Sequence, residues 1–300
     1  MLDAWPRLST LRPVWFLVAV VLEAASFTCT IALQRLVLGT RAWFPVATAM
    51  LVGNMVTSVL PAGDAAGATA QLGVLSAAGV DTSTAVGGMS AASMLSVGGL
   101  LALPLLTLPA VLGRAGVSPG LVHAAVLGAA GFAIYVVVVT ILMVTDKPLE
   151  VFGRIVGRVW GAIRKRPVTG LDRKMIQERN NVRATLGQHW PTAVLLVAGR
   201  LAFDYGALLA TLRAAGAVPR PWLVLLAYSA TNVIALVPIT PGGIGVVEAS
   251  LGGMLVLAGV PASTAFLATL AYRVVSYWLP LLAGAIAYVL ARRRYGTLTL

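Results

Sequence analysis

Arg273 and Glu248 have the clearest capacity for chemistry in this chain, because each is a charge set in apolar sequence. A guanidinium at bilayer depth costs at least ~2.5 kcal/mol unless it is partnered. Two anions could serve. One is Glu248, the nearest intramembrane acid in sequence; the other is a lipid phosphate, which a guanidinium grips with two parallel hydrogen bonds. Glu248 itself follows Pro241, Gly242, Gly243 and Gly245 and falls in the first turn of the next helix. A carboxylate there caps the positive helix end. It would serve equally as a ligand for a cation, a proton or the amine of a lipid headgroup. Tyr272, Tyr277 and Trp278 lie beside Arg273.

A second set of charges lies inside other apolar runs. Glu23 is in the first run, and Arg200 and Asp204 share a later one. Arg200 and Asp204 are four apart, on one helix face, so they are candidates to pair with each other. Glu23 and Arg200 fall at corresponding places in the two halves of the chain, so an intramembrane Glu23–Arg200 pair is the alternative. Asp64, with Gly63 in the turn Pro61-Ala62-Gly63-Asp64, is the acid of a third polar spot. His123 and His189 have no ligand spacing around them, and Cys29 is the single cysteine, so neither a metal centre nor a cofactor is expected.

The elements that must position these residues are membrane helices. The 300 residues are 59% hydrophobic and 11% charged, with a mean hydropathy of +0.90. A soluble domain is nearer to a quarter charged, roughly. The runs are apolar on all sides and too long for buried strands, so the fold class is an all-α polytopic membrane protein. Seven runs read as spans: 14–33, 43–60, 82–112, 121–144, 192–212, 221–237 and 264–290. Pro104 and Pro109 are expected to kink or end the third. Two shorter helices, 68–78 and 245–257, are too short to span alone.

The stretch Val237-Pro238-Ile239-Thr240-Pro241-Gly242-Gly243 cannot continue a helix. Its two prolines remove donors and push the preceding residues out of helical geometry. Broken backbone at membrane depth survives only where protein buries it or a wet cavity meets it. The amides it frees can form an anion-binding nest. Asn54 and Asn232 precede the two turns and are expected to bridge freed backbone groups.

The halves resemble each other. Gly79-Val80-Asp81-Thr82-Ser83-Thr84-Ala85 matches Gly259-Val260-Pro261-Ala262-Ser263-Thr264-Ala265, and the same shift puts Pro61 on Pro241 and Gly63 on Gly243. Two structural repeats are therefore expected, each with a broken or re-entrant helix after a Pro-Gly turn. Residues 1–144 form the first membrane repeat plus a connecting span, 145–189 a basic cytoplasmic or interfacial segment, and 190–300 the second repeat. From Lys147 to Arg183 there are ten Lys/Arg and three Asp/Glu. Within that region 151–164 reads as a helix in the headgroup layer. Arg7 and Arg12 at the start, and Arg292 to Arg294 at the end, lead us to expect both termini and the basic middle on the cytoplasmic side.

The run Pro238-Ile239-Thr240-Pro241-Gly242-Gly243-Ile244-Gly245-Val246-Val247-Glu248-Ala249, followed by Tyr272-Arg273-Val274-Val275-Ser276-Tyr277-Trp278-Leu279-Pro280, resembles the lysylphosphatidylglycerol synthase membrane-region family. These flippase-like proteins are related to the N-terminal membrane half of the multiple peptide resistance factor. The resemblance implies a multi-pass protein of the bacterial or archaeal cytoplasmic membrane that handles polar lipids. It also implies importance for Pro241, Gly242, Gly243, Glu248, Tyr272 and Arg273. The chain departs from the pattern at Asp64, where many relatives have Glu with flanking Arg, and at Ser93, which is uncharged at the repeat position of Arg273.

No Ser-His-Asp set, His-Glu-x-x-His or Walker sequence is present, so no enzyme is expected. The leading expectation is a lipid translocase with a substrate-binding site built from Pro241, Gly242, Gly243, Glu248, Tyr272, Arg273, Gly63 and Asp64. Its partners would be membrane lipids, with a lipid- or glycan-synthesis enzyme as a candidate and no nucleic acid. The competing readings are a non-transporting scaffold or synthase accessory, and a small-solute transporter.

Overall fold

The computed structural model describes residues 12–60, 63–112, 119–146, 171–236 and 240–296. All regular structure in the described residues is helical. The helices are α1 (Pro13–Val37), α2 (Trp43–Val59), α3 (Gly63–Ala77), α4 (Thr82–Leu112), α5 (Pro119–Val144), α6 (Leu171–Ala214), α7 (Pro221–Ala235), α8 (Val246–Leu257), α9 (Ala262–Arg273) and α10 (Leu279–Tyr295). A single 3-10 turn, Pro241–Gly243, precedes α8, and a π-helical turn, Val274–Trp278, joins α9 to α10.

Four described helical stretches are long and apolar enough to cross a membrane: Pro13–Val37, Thr82–Thr107, His189–Ala214 and Ala262–Tyr295. Large apolar side chains on them face outward, including Leu17 at 64%, Leu195 at 71% and Leu282 at 60% exposure. In lipid such surface is at home, whereas in water a run of this kind would drive association. The molecule is a multi-pass membrane protein.

Several boundaries differ from the sequence expectation. The first short helix begins at Gly63, five residues before 68. Pro104 does not end α4. Its ring seats against Gly128, where a Cβ would lie 2.4 Å from Pro104 Cγ, and Thr107 donates to the Pro104 carbonyl at 2.7 Å. The span expected over 192–212 is the second half of a 44-residue helix that runs through Pro191. Its first half lies in the polar middle and is tied to the end of α5: Arg179 pairs with Asp146 at 2.5 Å and donates to the Thr145 carbonyl. The interfacial helix expected at 151–164 lies outside the described residues.

The packing order is organised around α1 and α6, which are antiparallel. Arg12 N–H donates to the Ala214 carbonyl at 3.0 Å, Leu22 packs on Gly206, and Cys29 Sγ packs on Gly199. Shifting Leu22 by 177 residues gives Gly199, and shifting Cys29 gives Gly206, so those two contacts exchange into each other. The same shift relates the helix stops. Gly39 N–H donates to Leu36 and Thr40 N–H to Arg35; Gly216 N–H donates to Arg213 and Ala217 N–H to Leu212. Further on, Gly79 to Ser76 and Val80 to Leu75 match Gly259 to Val256 and Val260 to Leu255, 180 residues later. Each of those glycines closes its helix at positive φ, +86° and +88°.

Helices α2 and α3 form an antiparallel hairpin, as do α7 and α8. In the first, Gly53, Gly63 and Gly67 let the backbones touch; a Cβ on Gly63 would lie 2.1 Å from the Thr57 carbonyl oxygen. Close approach at small residues is what holds helices together where lipid supplies no hydrophobic drive. Each half's last helix then crosses to the other half's hairpin: α10 packs on α2, with Gly284 against Leu51 and Met55, and α4 packs on α7. Two apolar clusters result. One surrounds the α2–α3 hairpin, through Val46, Val52, Val74 and Ala287, and the other the α7–α8 hairpin, through Val224, Tyr228, Leu251 and Leu255.

Candidate functional site

At the tip of the α7–α8 hairpin the chain turns through Gly242, at φ +57°, and Gly245, at φ +84°. Gly242 is required twice. Its φ suits glycine, and a Cβ would lie 2.6 Å from the Tyr277 ring and 2.9 Å from the Ser58 carbonyl oxygen. Its own carbonyl thereby points at Arg273, which donates to it through Nη2 at 3.0 Å. Arg273 Nε donates to Glu248 Oε1 at 2.6 Å, and the guanidinium lies 4.2 Å over the Tyr277 ring. Glu248 Oε2 accepts the Gly245 N–H at 2.6 Å. The cap and the ion pair are thus the same carboxylate, one oxygen for each. Arg273 is 8% exposed, and the side chain of Glu248 is 15% exposed.

This tip rests on the other half of the molecule. Tyr277 Oη donates to the Ser58 carbonyl at 2.9 Å, and Ser58 lies in the last turn of α2, just before the first-half turn. The second tip therefore meets the end of α2. The π-helical turn begins immediately after Arg273 and carries Tyr277. A widened turn of this kind is a frequent mark of a functional position in a helix.

Three of the amides expected to form a nest at the second turn are satisfied within it. Gly243 N–H donates to the Thr240 carbonyl, Ile244 N–H to Pro241, and Gly245 N–H to Glu248. Asn232 donates to the Tyr228 carbonyl of its own helix at 2.9 Å, and residues 237–239 of the break lie outside the described residues.

A separate polar cluster lies where α1, α6, α7 and α9 meet. Asp204 accepts hydrogen bonds from Tyr228 at 2.6 Å and Tyr272 at 2.5 Å, one on each carboxylate oxygen. The Glu23 carboxyl, 6% exposed, makes side-chain contact with Asp204, and Arg200 is near. Neither expected ion pair forms. Among the described residues the ion pairs within 4.0 Å are Arg179–Asp146 and Arg273–Glu248. Glu23 Oε2 and Arg200 Nη1 are buried without a hydrogen-bond partner.

The expected site residues divide accordingly. Pro241, Gly242, Gly243, Glu248 and Arg273 come together at the second tip. Tyr272 points the other way, into the Asp204 cluster. Gly63 is a packing glycine of the α2–α3 hairpin. Asp64 is exposed in the first turn of α3, with no hydrogen bond or ion pair to Glu248 or Arg273. Sequence reasoning missed Ser58 and Tyr228 and gave Asp204 only a local role. A carboxylate within an apolar run was the available signal for Asp204; a backbone carbonyl such as that of Ser58 leaves no signal at all.

Comparison with known proteins agrees with this architecture. The profile of the lysylphosphatidylglycerol synthase TM region family matches residues 3–284, and the chain belongs to that family. Two archaeal relatives are similar over short stretches. A UPF0104 membrane protein of Pyrococcus horikoshii is 33% identical over 70 residues, 23% of this chain and 21% of that protein. A UPF0104 membrane protein of Methanocaldococcus jannaschii is 38% identical over 64 residues, 21% of this chain and 27% of that protein. The matches thus span about a quarter of those relatives or less. No solved structure matches the chain.

Proposed function

We propose that this member of the lysylphosphatidylglycerol synthase TM region family moves the phosphate-bearing headgroup of a membrane lipid between leaflets, with Arg273 as the phosphate-binding group. In this reading α2–α3 and α7–α8 are re-entrant hairpins of two inverted repeats, and α5 is the connecting span. The hairpins enter the bilayer from opposite sides and their tips meet near its middle. Glu248 holds the place of the phosphate on Arg273. An arriving lipid phosphate displaces it and takes two of the guanidinium donors. The chain makes and breaks no covalent bond in the process, its partners are lipids, and it acts in the cytoplasmic membrane.

The observation that carries this reading is the buried Arg273–Glu248 pair at a broken tip, abutting the end of α2. A buried pair is weak evidence of stabilisation alone, since desolvation offsets most of the Coulombic gain. Set at a break in the backbone, it reads as a site. The test is movement of labelled phospholipids in liposomes holding the purified chain. Arg273→Ala should slow movement by roughly tenfold or more, since a hydrogen bond to a charged group is worth about 1.5–3 kcal/mol, and Glu248→Gln should change the rate because it removes the carboxylate that the phosphate must displace. Unchanged rates in variants that keep their fold would place the site elsewhere. If the wild-type chain moves no lipid, a scaffold role alongside a lipid- or glycan-synthesis enzyme replaces this reading.

A further inference from the structure

The Glu23–Asp204 contact is not explained by phosphate binding. The two carboxyls lie on α1 and α6, the central antiparallel pair. Asp204 already accepts one tyrosine hydroxyl on each oxygen. Glu23 is 6% exposed, and its Oε2 has no donor within reach. Two carboxylates have no hydrogen between them, so a stable contact needs a proton on one. An ionised pair in a desolvated site would repel strongly.

The other groups around the pair narrow the occupant. From α6 come Arg200 and Asp204, from α7 Tyr228, and from α9 Tyr272. Helices α2 and α4, which also pack on α1, contain no ionisable residue. The π turn brings Tyr277, whose hydroxyl is committed to Ser58. The count is two carboxyls against one guanidinium, so one added positive charge makes the site neutral. A metal cation would have to share the site with Arg200. A proton adds the charge on one oxygen and demands no coordination shell.

We propose that Glu23 is a proton-binding carboxyl that alternates between two partners, Asp204 when protonated and Arg200 when ionised. Protonated, Glu23 donates its O–H to the Asp204 carboxylate, and Arg200 balances the single remaining negative charge. When the proton leaves to water, the O–H bond breaks, Glu23 becomes a carboxylate, and repulsion from Asp204 turns it toward Arg200. The unpartnered Arg200 Nη1 is the donor that awaits it. The move is felt at the headgroup site because consecutive residues serve the two places. Tyr272 is bound to Asp204, and Arg273 to Glu248, at the entry to the π turn. This rests on the lipid-translocation reading only for its use; the proton site itself is separate.

The experiment has two arms on the full chain in lipid. Infrared spectroscopy follows the protonated-carboxyl C=O stretch as pH is raised. The band should disappear with rising pH in the wild type, be missing in Glu23→Gln, and reappear at a shifted frequency in Glu23→Asp. A band insensitive to pH, or one that survives Glu23→Gln, overturns the proposal. Should Glu23→Gln not fold, the shift in Glu23→Asp decides alone, and its absence overturns the assignment. The second arm measures labelled-phospholipid movement with and without an imposed pH gradient. The ratio of the two rates should exceed one in the wild type and fall to one in Glu23→Gln. A wild-type ratio of one overturns the coupling. A titrating Glu23 band in a chain that moves no lipid keeps the proton site and removes the lipid reading; lipid movement without such a band does the reverse.

Discussion

At the scale of single residues, the same backbone position is served by different chemistry in the two halves. Asp81 and Pro261 stand 180 residues apart, each before a helix whose fourth residue, Ala85 or Ala265, donates back to its carbonyl. Pro261 presets the turn by its ring. Asp81 does it with a carboxylate that accepts from the Ser83 N–H at 3.0 Å and the Thr84 N–H at 3.2 Å, and from the Ser83 hydroxyl. Those bonds, the Ser83 hydroxyl first, hold its carboxyl below the ordinary aspartate value. An unfolded Asp81 therefore takes up its proton before the folded one. The cap's contribution is complete above the ordinary value and is lost as pH falls through the lower folded one. Hydrogen exchange in the first turn of α4 should be slower in the wild type than in Asp81→Ala at neutral pH, with the difference closing in acid. A difference that persists in acid would mean that the side chain acts through packing instead.

At the scale of elements, small residues decide which helices touch. Gly67 lies under Thr57: a Cβ there would sit 1.9 Å from Thr57 Oγ1 and 2.6 Å from the Gly53 carbonyl oxygen. Gly67→Ala must push α3 away from α2, and overpacking of this kind costs about 1–3 kcal/mol. Gly253, inside α8, has nothing within 4 Å of its Cβ position. Gly253→Ala should be neutral or stabilising by about 0.5–1 kcal/mol, since only unfolded-state freedom is lost. Thermal melts of the two variants should move in opposite directions, and equal shifts would contradict the hairpin packing. The helices and their stops were legible in the sequence, because apolar run length and Gly-Val steps are local signals. So were Glu248 and Arg273, charges that apolar surroundings make conspicuous. Hairpin partners were not legible: α2 at 17 residues and α7 at 15 look like short spans, and only their neighbours show that each is answered by α3 or α8. Tyr272 and Arg273 are adjacent in sequence, yet they serve separate clusters because the helix turns between them by roughly 100° per residue.

At the scale of the whole molecule, the contacts show which ends lie together. The start of α1 meets the end of α6, through the Arg12 N–H and through Arg213 over the Trp15 ring at 5.0 Å. The end of α10 meets the start of α2, with Arg294 4.8 Å over Phe44. The end of α5 meets the early part of α6 at Asp146 and Arg179. Since α6 runs antiparallel to α1, its early part and the end of α10 both lie at the far end of α1 from Arg12. In the proposed reading, where α2 and α7 return as hairpins, the start of α1 lies opposite the polar middle and the end of α10, against the expectation of one common side. That reading has five passes, made by the four long apolar stretches in α1, α4, α6 and the α9–α10 pair, together with α5. Ten Lys/Arg between Lys147 and Arg183, with Arg292 to Arg294, outweigh Arg7 and Arg12. For that reading the positive-inside rule predicts the polar middle and the end of α10 in the cytoplasm and the start of α1 outside. In a Cys29→Ser background, single cysteines at Arg12, Asp146 and Tyr295 can be labelled with a membrane-impermeant maleimide. Cysteines at Asp146 and Tyr295 should react only after the membrane is opened, and one at Arg12 in intact cells. Protection of all three from outside would restore the common side and rule out opposed hairpins. Inverted hairpins would present the same turn chemistry to both leaflets, yet only the second carries Arg273 and Glu248. The half without Arg273 instead contributes Glu23 to the buried acidic cluster and the Ser58 carbonyl to the tip.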